Sequence, residues 1–360
     1  MIRFLQLTPN EDDDAAVRAA IDRVITRGWF VLGPELSAFE QEFAVATGAA
    51  HAVGVGTGTD ALAIALRAAG IGPGDEVITT PLSAAYSALA IMMAGARPVF
   101  ADIDAERLTL DPRAAAAAVT PRTAAIMPVH LYGQPADMIA ISEVARRHNL
   151  AIIEDCCQAH LATCDGRPVG SFSIAAAYSF YPTKNLGALG DGGALTTPDS
   201  GVAAHAQRLR NGGQTDRYHH AELGVNSRLD ELQAAVLRAR LPLLAGWTDR
   251  RRALARAYRA RLRELACLTV PPELDAGHVY HLFPVRHRSR EAVQSRLSLA
   301  GIETLIHYPI PIPRQPALAL ERPAVCPVAD RVCREIFSLP LYPRLPDAAI
   351  PRVAAALASG

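Results

Sequence analysis

The sequence predicts an α/β protein with a mostly parallel central sheet flanked by helices, followed by a smaller α+β part at the carboxyl end. Three observations carry this expectation. Short apolar runs alternate with helix-length segments through the first 200 residues, the pattern of parallel strands joined by helical crossovers. The chain has 360 residues, half of them hydrophobic, which is enough for a large core and a division into two domains. From about residue 270 proline becomes frequent and the long alternation breaks up.

Taken in order, "LSAFEQEFAVATG" is apolar at helical spacing, and "AVGVG", "EVITT", "RPVFADI", "AAIMPVH" and "LAIIEDC" read as buried strands. Segments 59–70, 83–95 and 135–148 are the helices between them, and "AAAYS" is a further strand. The polyalanine at 114–118 is expected as a surface helix. Arg- and Ala-rich stretches at 229–245 and 248–265 predict long helices leading away from the sheet. "HLFPVRH", a helix at 290–300, "ETLIHYP" and a helix at 328–337 then make up a small α+β domain. The expected boundaries are 1–245 for the large domain, including an amino-terminal arm, and 246–360 for the small one.

Lys and Arg total 36, as do Asp and Glu, so there is no net field to hold nucleic acid or an anionic membrane. The six cysteines form neither a CxxC pair nor a disulfide-like spacing, and reduced thiols are expected. "MIRFLQLTPNEDDD" lacks the apolar core of a signal peptide, and no run approaches 18 apolar residues. A soluble, cytoplasmic protein is expected, with no metal.

Lys184, in "YSFYPTKNLGALGDGG", is the only lysine in the chain. Arginine serves equally as a solvated cation, but only a primary amine can lose its proton near neutrality and condense with a carbonyl. Ligands in such a sheet gather at the carboxyl ends of the strands, and three groups fall there. "VGVGTGTDAL" offers Gly58 and Thr59 at a helix start, an anion site by geometry, although the same residues also read as a capped tight turn. "AIIEDCCQAH" delivers Asp155 to a strand end with Gln158 and His160 behind it, where Asp155 also reads as a helix cap. "AAAYSFYPTKNLG" brings Ser179, Tyr181 and Lys184. A phosphate holder, an acid able to protonate a ring nitrogen and a Schiff-base amine are the requirements of pyridoxal phosphate.

The chain also resembles the sugar aminotransferases of the DegT/StrS type, fold-type I pyridoxal phosphate enzymes that act on nucleotide-linked keto-sugars. "FVLGPEL", "GTGTDAL", "GDEVITTP", "PVFADID", "VHLYG", "EDCCQAH", "SFYPTKNLGALGDGG", "NSRLDELQAA" and "HYPIPI" occur in that family's order between about residues 28 and 345. The resemblance implies that Lys184 holds the cofactor and shuttles a proton, and that Asp155 pairs with the pyridine nitrogen. It places Gln158 beside the phenolic oxygen and gives the phosphate to Gly58, Thr59 and Ser179. Asn226 would reach that phosphate from the partner subunit, which makes the protein a homodimer with shared sites. Leu161 stands where the family has glycine, and Ala84 where some members stack an aromatic ring; Tyr86 is a substitute for that ring. L-glutamate is the implied donor. Arg228 is a candidate for its carboxylate, though it reads also as an interface or helix-start arginine.

Tyr181, His307 and Tyr308 are expected at the sugar. "NGGQTDRYHH", "NSRLDELQAA" and "HYPIPI" are most similar to the members that aminate C-3 of a dTDP-linked 3-keto-6-deoxyhexose. A C-4 aminotransferase is the alternative within the family. From another class, "GTGTDA" satisfies a dinucleotide fingerprint, with Asp75 and Glu76 about 20 residues downstream, which would make an NAD-dependent sugar oxidoreductase. Phe180 stands where a Tyr-x-x-x-Lys pair would need tyrosine.

Overall fold

The computed structural model describes residues 1–7, 13–318 and 324–358; the acidic residues 11 and 12 of the amino-terminal stretch lie outside the described residues. Helices α1 (Asp14–Arg27) and α2 (Pro34–Thr47) precede a seven-stranded sheet. Its strands are β1 (His51–Val55), β2 (Glu76–Thr79), β3 (Arg97–Phe100), β4 (Thr123–Met127), β5 (Ala151–Asp155), β6 (Ala175–Ser179) and β7 (Gly193–Thr197). Their spatial order is β3-β2-β4-β5-β6-β7-β1, and β7 alone runs antiparallel to its neighbours. Helices α3 (Gly58–Ala68), α4 (Tyr86–Met93), α5 (Pro112–Ala117) and α6 (Met138–His148) make the crossovers, and α7 (Ser200–Arg210) follows β7.

The strands are apolar on both faces because both faces are covered. In β6, Ala175 and Ala177 pack with residues of α3 and α7, while Ala176 and Tyr178 turn to Phe39 and Phe43 of α2. Glycine closes the site end of β7. A side chain at Gly193 would meet the Thr57 backbone at 2.3 Å.

Two helices then lead out of the sheet layer. The predicted helix 229–245 is shorter, α8 (Glu231–Arg240), and a turn at Leu241–Leu243 separates it from α9 (Leu244–Leu262). Pro242 marks that break. A second apolar cluster joins Tyr258 of α9 to β8 (Phe283–Arg286), helices α10 (Arg290–Leu299) and α12 (Ala349–Ala358), and β9 (Ile336–Leu339), with Ile2 added from the amino terminus, while α11 (Pro327–Glu335) belongs to a separate cluster with Leu82, Leu131 and Tyr132. β8 and β9 pair antiparallel.

Some expectations need correction. The helix expected to reach 337 stops at Glu335, and β9 begins there. "ETLIHYP" is no strand and contributes one bridge, Leu305 to Ser338. The polyalanine helix α5 is only partly on the surface, since Ala115 is fully buried.

Candidate active site

The carboxyl ends of β5 and β6 and the starts of α3 and α4 enclose a pocket of about 700 Å³. Gly58, Thr59, Tyr86, Asp155, Gln158, Ser179, Tyr181, Lys184, His307 and Tyr308 all line it, whereas Asn226, the candidate Arg228 and the fully buried His160 do not.

Asp155 ends β5 and is 5% exposed. Ser87, in the first turn of α4, donates its hydroxyl to Oδ2 at 2.7 Å, and the Cys157 amide donates to Oδ1 at 3.1 Å. Two donors hold the buried carboxylate in place at the strand end. Lys184 follows β6 in a turn fixed by its own amide to the Tyr181 carbonyl, 2.8 Å. Its Nζ has no hydrogen-bond partner among the described residues. Burial lowers its pKa, and the nearby Cys157 and Asp155 oppose that shift.

The start of α3 forms an anion cradle. Thr57 caps the helix by accepting from the Asp60 amide at 3.0 Å, which leaves the hydroxyls of Thr59 and Ser179 at the opening. Gly58 has no room for a side chain: a Cβ would lie 2.7 Å from Ser179 Cβ and 2.9 Å from Cys157 Sγ. Glycine thus lets the helix start pack directly on the end of β6, with its first amides beside the Ser179 hydroxyl.

The other wall is built across the chain. Gln158 Oε1 accepts from the Tyr132 amide at 2.8 Å, and its Nε2 donates to the Tyr308 hydroxyl at 3.0 Å. His307 Nδ1 lies 2.9 Å from Ser338 Oγ, and its ring stacks on Phe4 with centroids 5.6 Å apart. Burial, with Lys184 adding to it, lowers the His307 pKa to about 4, while burial pushes the Tyr308 phenol up to about 12. Both are neutral near pH 7. Tyr86 and Tyr181 stand exposed at the mouth, and Ala84 lines the pocket beside them.

Asn226 is exposed outside the pocket and bridges to Asn211, whose side chain accepts from Arg228 at 3.1 Å. Arg228 is likewise no part of the pocket lining. Sequence reasoning missed Ser87, Cys157, Tyr132 and His281. His281 lines the pocket with Nδ1 3.2 Å from Asn185 Oδ1. Tyr132 lay inside the quoted "VHLYG", but nothing in the pattern marks which residue of a loop turns inward.

Two further groupings prove structural. His130, Glu154 and Cys156 are close enough to hold an ion, yet their atoms are committed. His130 Nδ1 accepts from the Ala136 amide, and Glu154 takes Gly170 N, Phe172 N, Ser173 Oγ and His130 Nε2. The dinucleotide reading of "GTGTDA" also fails. A nucleotide-binding βαβ unit needs neighbouring parallel strands, but β1 lies at one edge and β2 near the other. Glu76 is held by Arg122 and Thr120, and Asp75 by the Gly72 amide.

This sheet order and this pocket are those of a fold-type I aminotransferase. The chain belongs to the DegT/DnrJ/EryC1/StrS aminotransferase family, whose model matches residues 11–358. Over 348 residues it is 48% identical to dTDP-3-amino-3,4,6-trideoxy-alpha-D-glucose transaminase of Streptomyces venezuelae, covering 96% of this chain and 92% of that one. The crystal structure of S. venezuelae DesV in complex with a ketimine intermediate matches with a TM-score of 0.96 at 47% identity, covering 99% and 97%. NtdA from Bacillus subtilis, solved with bound cofactor PMP, matches with a TM-score of 0.92 at 29% identity, covering 99% and 84%. No helix among the described residues is long and apolar enough to cross a membrane.

Proposed function

We propose that the protein transfers an amino group from L-glutamate to C-3 of a dTDP-linked 3-keto-6-deoxyhexose, with pyridoxal phosphate held in the pocket at Lys184. One observation carries the reading: the chain's only lysine ends unpartnered in a pocket with a doubly hydrogen-bonded carboxylate and a glycine-tight anion cradle. That donor set fits the cofactor's aldehyde, ring nitrogen and phosphate.

When bound, pyridoxal phosphate supplies an electron sink for breaking a Cα–H bond and a carbon that carries nitrogen between two substrates. The chain supplies the rest. Lys184 would hold the cofactor's aldehyde; freed when the donor binds, its Nζ, lowered in pKa by burial, would take the proton from the donor's α-carbon and pass it on within that half-reaction, and in the second half-reaction would deliver a proton to C-3 of the sugar. Asp155, oriented by Ser87, would pair with the ring nitrogen. Gly58, Thr59 and Ser179 would hold the phosphate, and Gln158 would face the phenolic oxygen. Tyr181, His307 and Tyr308 orient the sugar so that C-3 faces the nitrogen, and an ångström of misplacement costs on the order of a hundredfold in rate. The C-3 and dTDP assignments rest on the similarity to a 3-amino-sugar transaminase. A homodimer that shares Asn226 between subunits completes the proposal.

The test is turnover against dTDP- and UDP-linked 3-keto and 4-keto sugars with glutamate, alongside a visible spectrum of the purified protein. Amination of the dTDP-linked 3-keto sugar is expected, with a coloured protein. Efficient amination of only the 4-keto isomer overturns the regiochemistry; a colourless protein that PLP does not reconstitute overturns the whole reading.

A further inference from the structure

Four residues close a hydrogen-bonded ring in the pocket wall. Gln158 Oε1 accepts from the Tyr132 amide, the Tyr132 hydroxyl donates to the His307 carbonyl, and Gln158 Nε2 donates to the hydroxyl of Tyr308, the next residue along. Tyr132 follows β4, Gln158 follows β5, and His307 and Tyr308 come from the carboxyl-terminal part of the chain. The ring therefore ties the sheet's strand ends to the segment expected to meet the sugar.

The directions of these bonds are forced. An amide N–H can only donate, so the Gln158 oxygen must face Tyr132, which leaves the Gln158 nitrogen to donate to Tyr308. The Tyr308 oxygen thus accepts on one side, and its own proton is free to point elsewhere. Tyr132 is 2% exposed and has φ +61°, a left-handed conformation costly for a residue with a side chain. In that conformation one residue reaches Gln158 through its backbone and His307 through its hydroxyl.

We infer that Tyr132 is a positioning residue: through this ring it fixes the 307–308 segment and aims the Tyr308 hydroxyl proton into the pocket as a donor to the acceptor sugar. The kinetic part of this inference rests on the proposed sugar amination; the geometric part does not. A purely structural reading is available, because the ring of Tyr132 packs in an apolar cluster with Leu131, Leu282 and Ile312. Tyr132→Phe keeps that ring and removes only the hydroxyl.

The experiment compares wild type and Tyr132→Phe holoenzymes by hydrogen–deuterium exchange, melting temperature and half-reaction kinetics. Losing one hydrogen bond predicts exchange about three- to tenfold faster at amides 303–308, with the rest of the chain unchanged. It also predicts KM for the keto-sugar raised by about three- to tenfold, with kcat and the glutamate half-reaction within about twofold. Unchanged exchange at 303–308 overturns the inference whatever the substrate, and so does faster exchange spread over the whole chain with a lower melting temperature. Unchanged sugar KM in an active enzyme overturns the donor role. If the wild type aminates no keto-sugar while 303–308 still responds, the placement stands and the proposed function falls.

Discussion

Lys184 and Asp155 divide the chemistry at the level of single side chains. With no second lysine in the chain, Lys184→Ala is expected to remove both the visible absorption of bound cofactor and all transamination. Turnover at the wild-type rate would sink the assignment. Asp155→Ala removes a charge rather than an attachment. Cofactor held through its phosphate should remain measurable by absorbance, while transamination falls by about 10²–10³-fold, the kinetic equivalent of about 3–4 kcal/mol for a lost buried charge partner. Equal rates would give Asp155 a different task. Both residues were legible in the sequence because each follows an apolar strand that ends in a polar cluster. Ser87, which orients Asp155, was not. Its partner lies 68 positions away, and a serine in the first turn of an apolar helix reads as ordinary.

Whole elements were legible where the apolar period was long and illegible where a distant contact decides. Strands β1 to β6 stand where their apolar runs predict, but β7 opens on glycines needed for its close approach to Thr57, which hides its strand character. Leu161 shows the converse. It occupies the position expected for glycine and keeps φ +60°, so the backbone there retains the glycine-like turn while the half-buried side chain packs against the apolar cluster that includes Leu36 and Phe39. Helix α2 depends on α8 in a way no local pattern reveals. Glu231, fully buried, accepts from the amides of Gly33, Glu35 and Leu36 at 2.8–3.0 Å across 195 to 198 positions of sequence. It thereby caps the helix start with a charge of the favoured sign. Glu231→Gln places an N–H group among these donors and is expected to destabilise the fold by about 1–3 kcal/mol in urea titration. Glu42→Gln, which breaks a half-exposed pair with Arg238, should cost about 0–1 kcal/mol. Equal losses in the two variants would refute the capping role.

At the scale of the molecule the open question is what lies against the segment carrying Asn226. That residue is exposed and outside the pocket of its own chain, although the proposed function gives it the cofactor phosphate. Close by, Trp29, Phe30 and Val31 stand 54%, 48% and 40% exposed in one run. Val31 bridges to Asp230, and the Phe30 carbonyl accepts from the Glu231 amide, so this apolar run is joined to the stretch just after Asn226. Large contiguous apolar residues on a surface mark an interaction site, and a two-fold pairing would cover the same run on both subunits while handing each Asn226 to the other pocket. A mixing experiment separates this from a merely exposed asparagine. Lys184→Ala and Asn226→Ala subunits are each expected to be impaired alone. After random reassortment, every heterodimer would hold one site with both lesions and one with neither, so an equal mixture should regain about a quarter of wild-type activity. Activity that never exceeds the mean of the two parents means that Lys184 and Asn226 act within one chain, and the shared-site proposal fails.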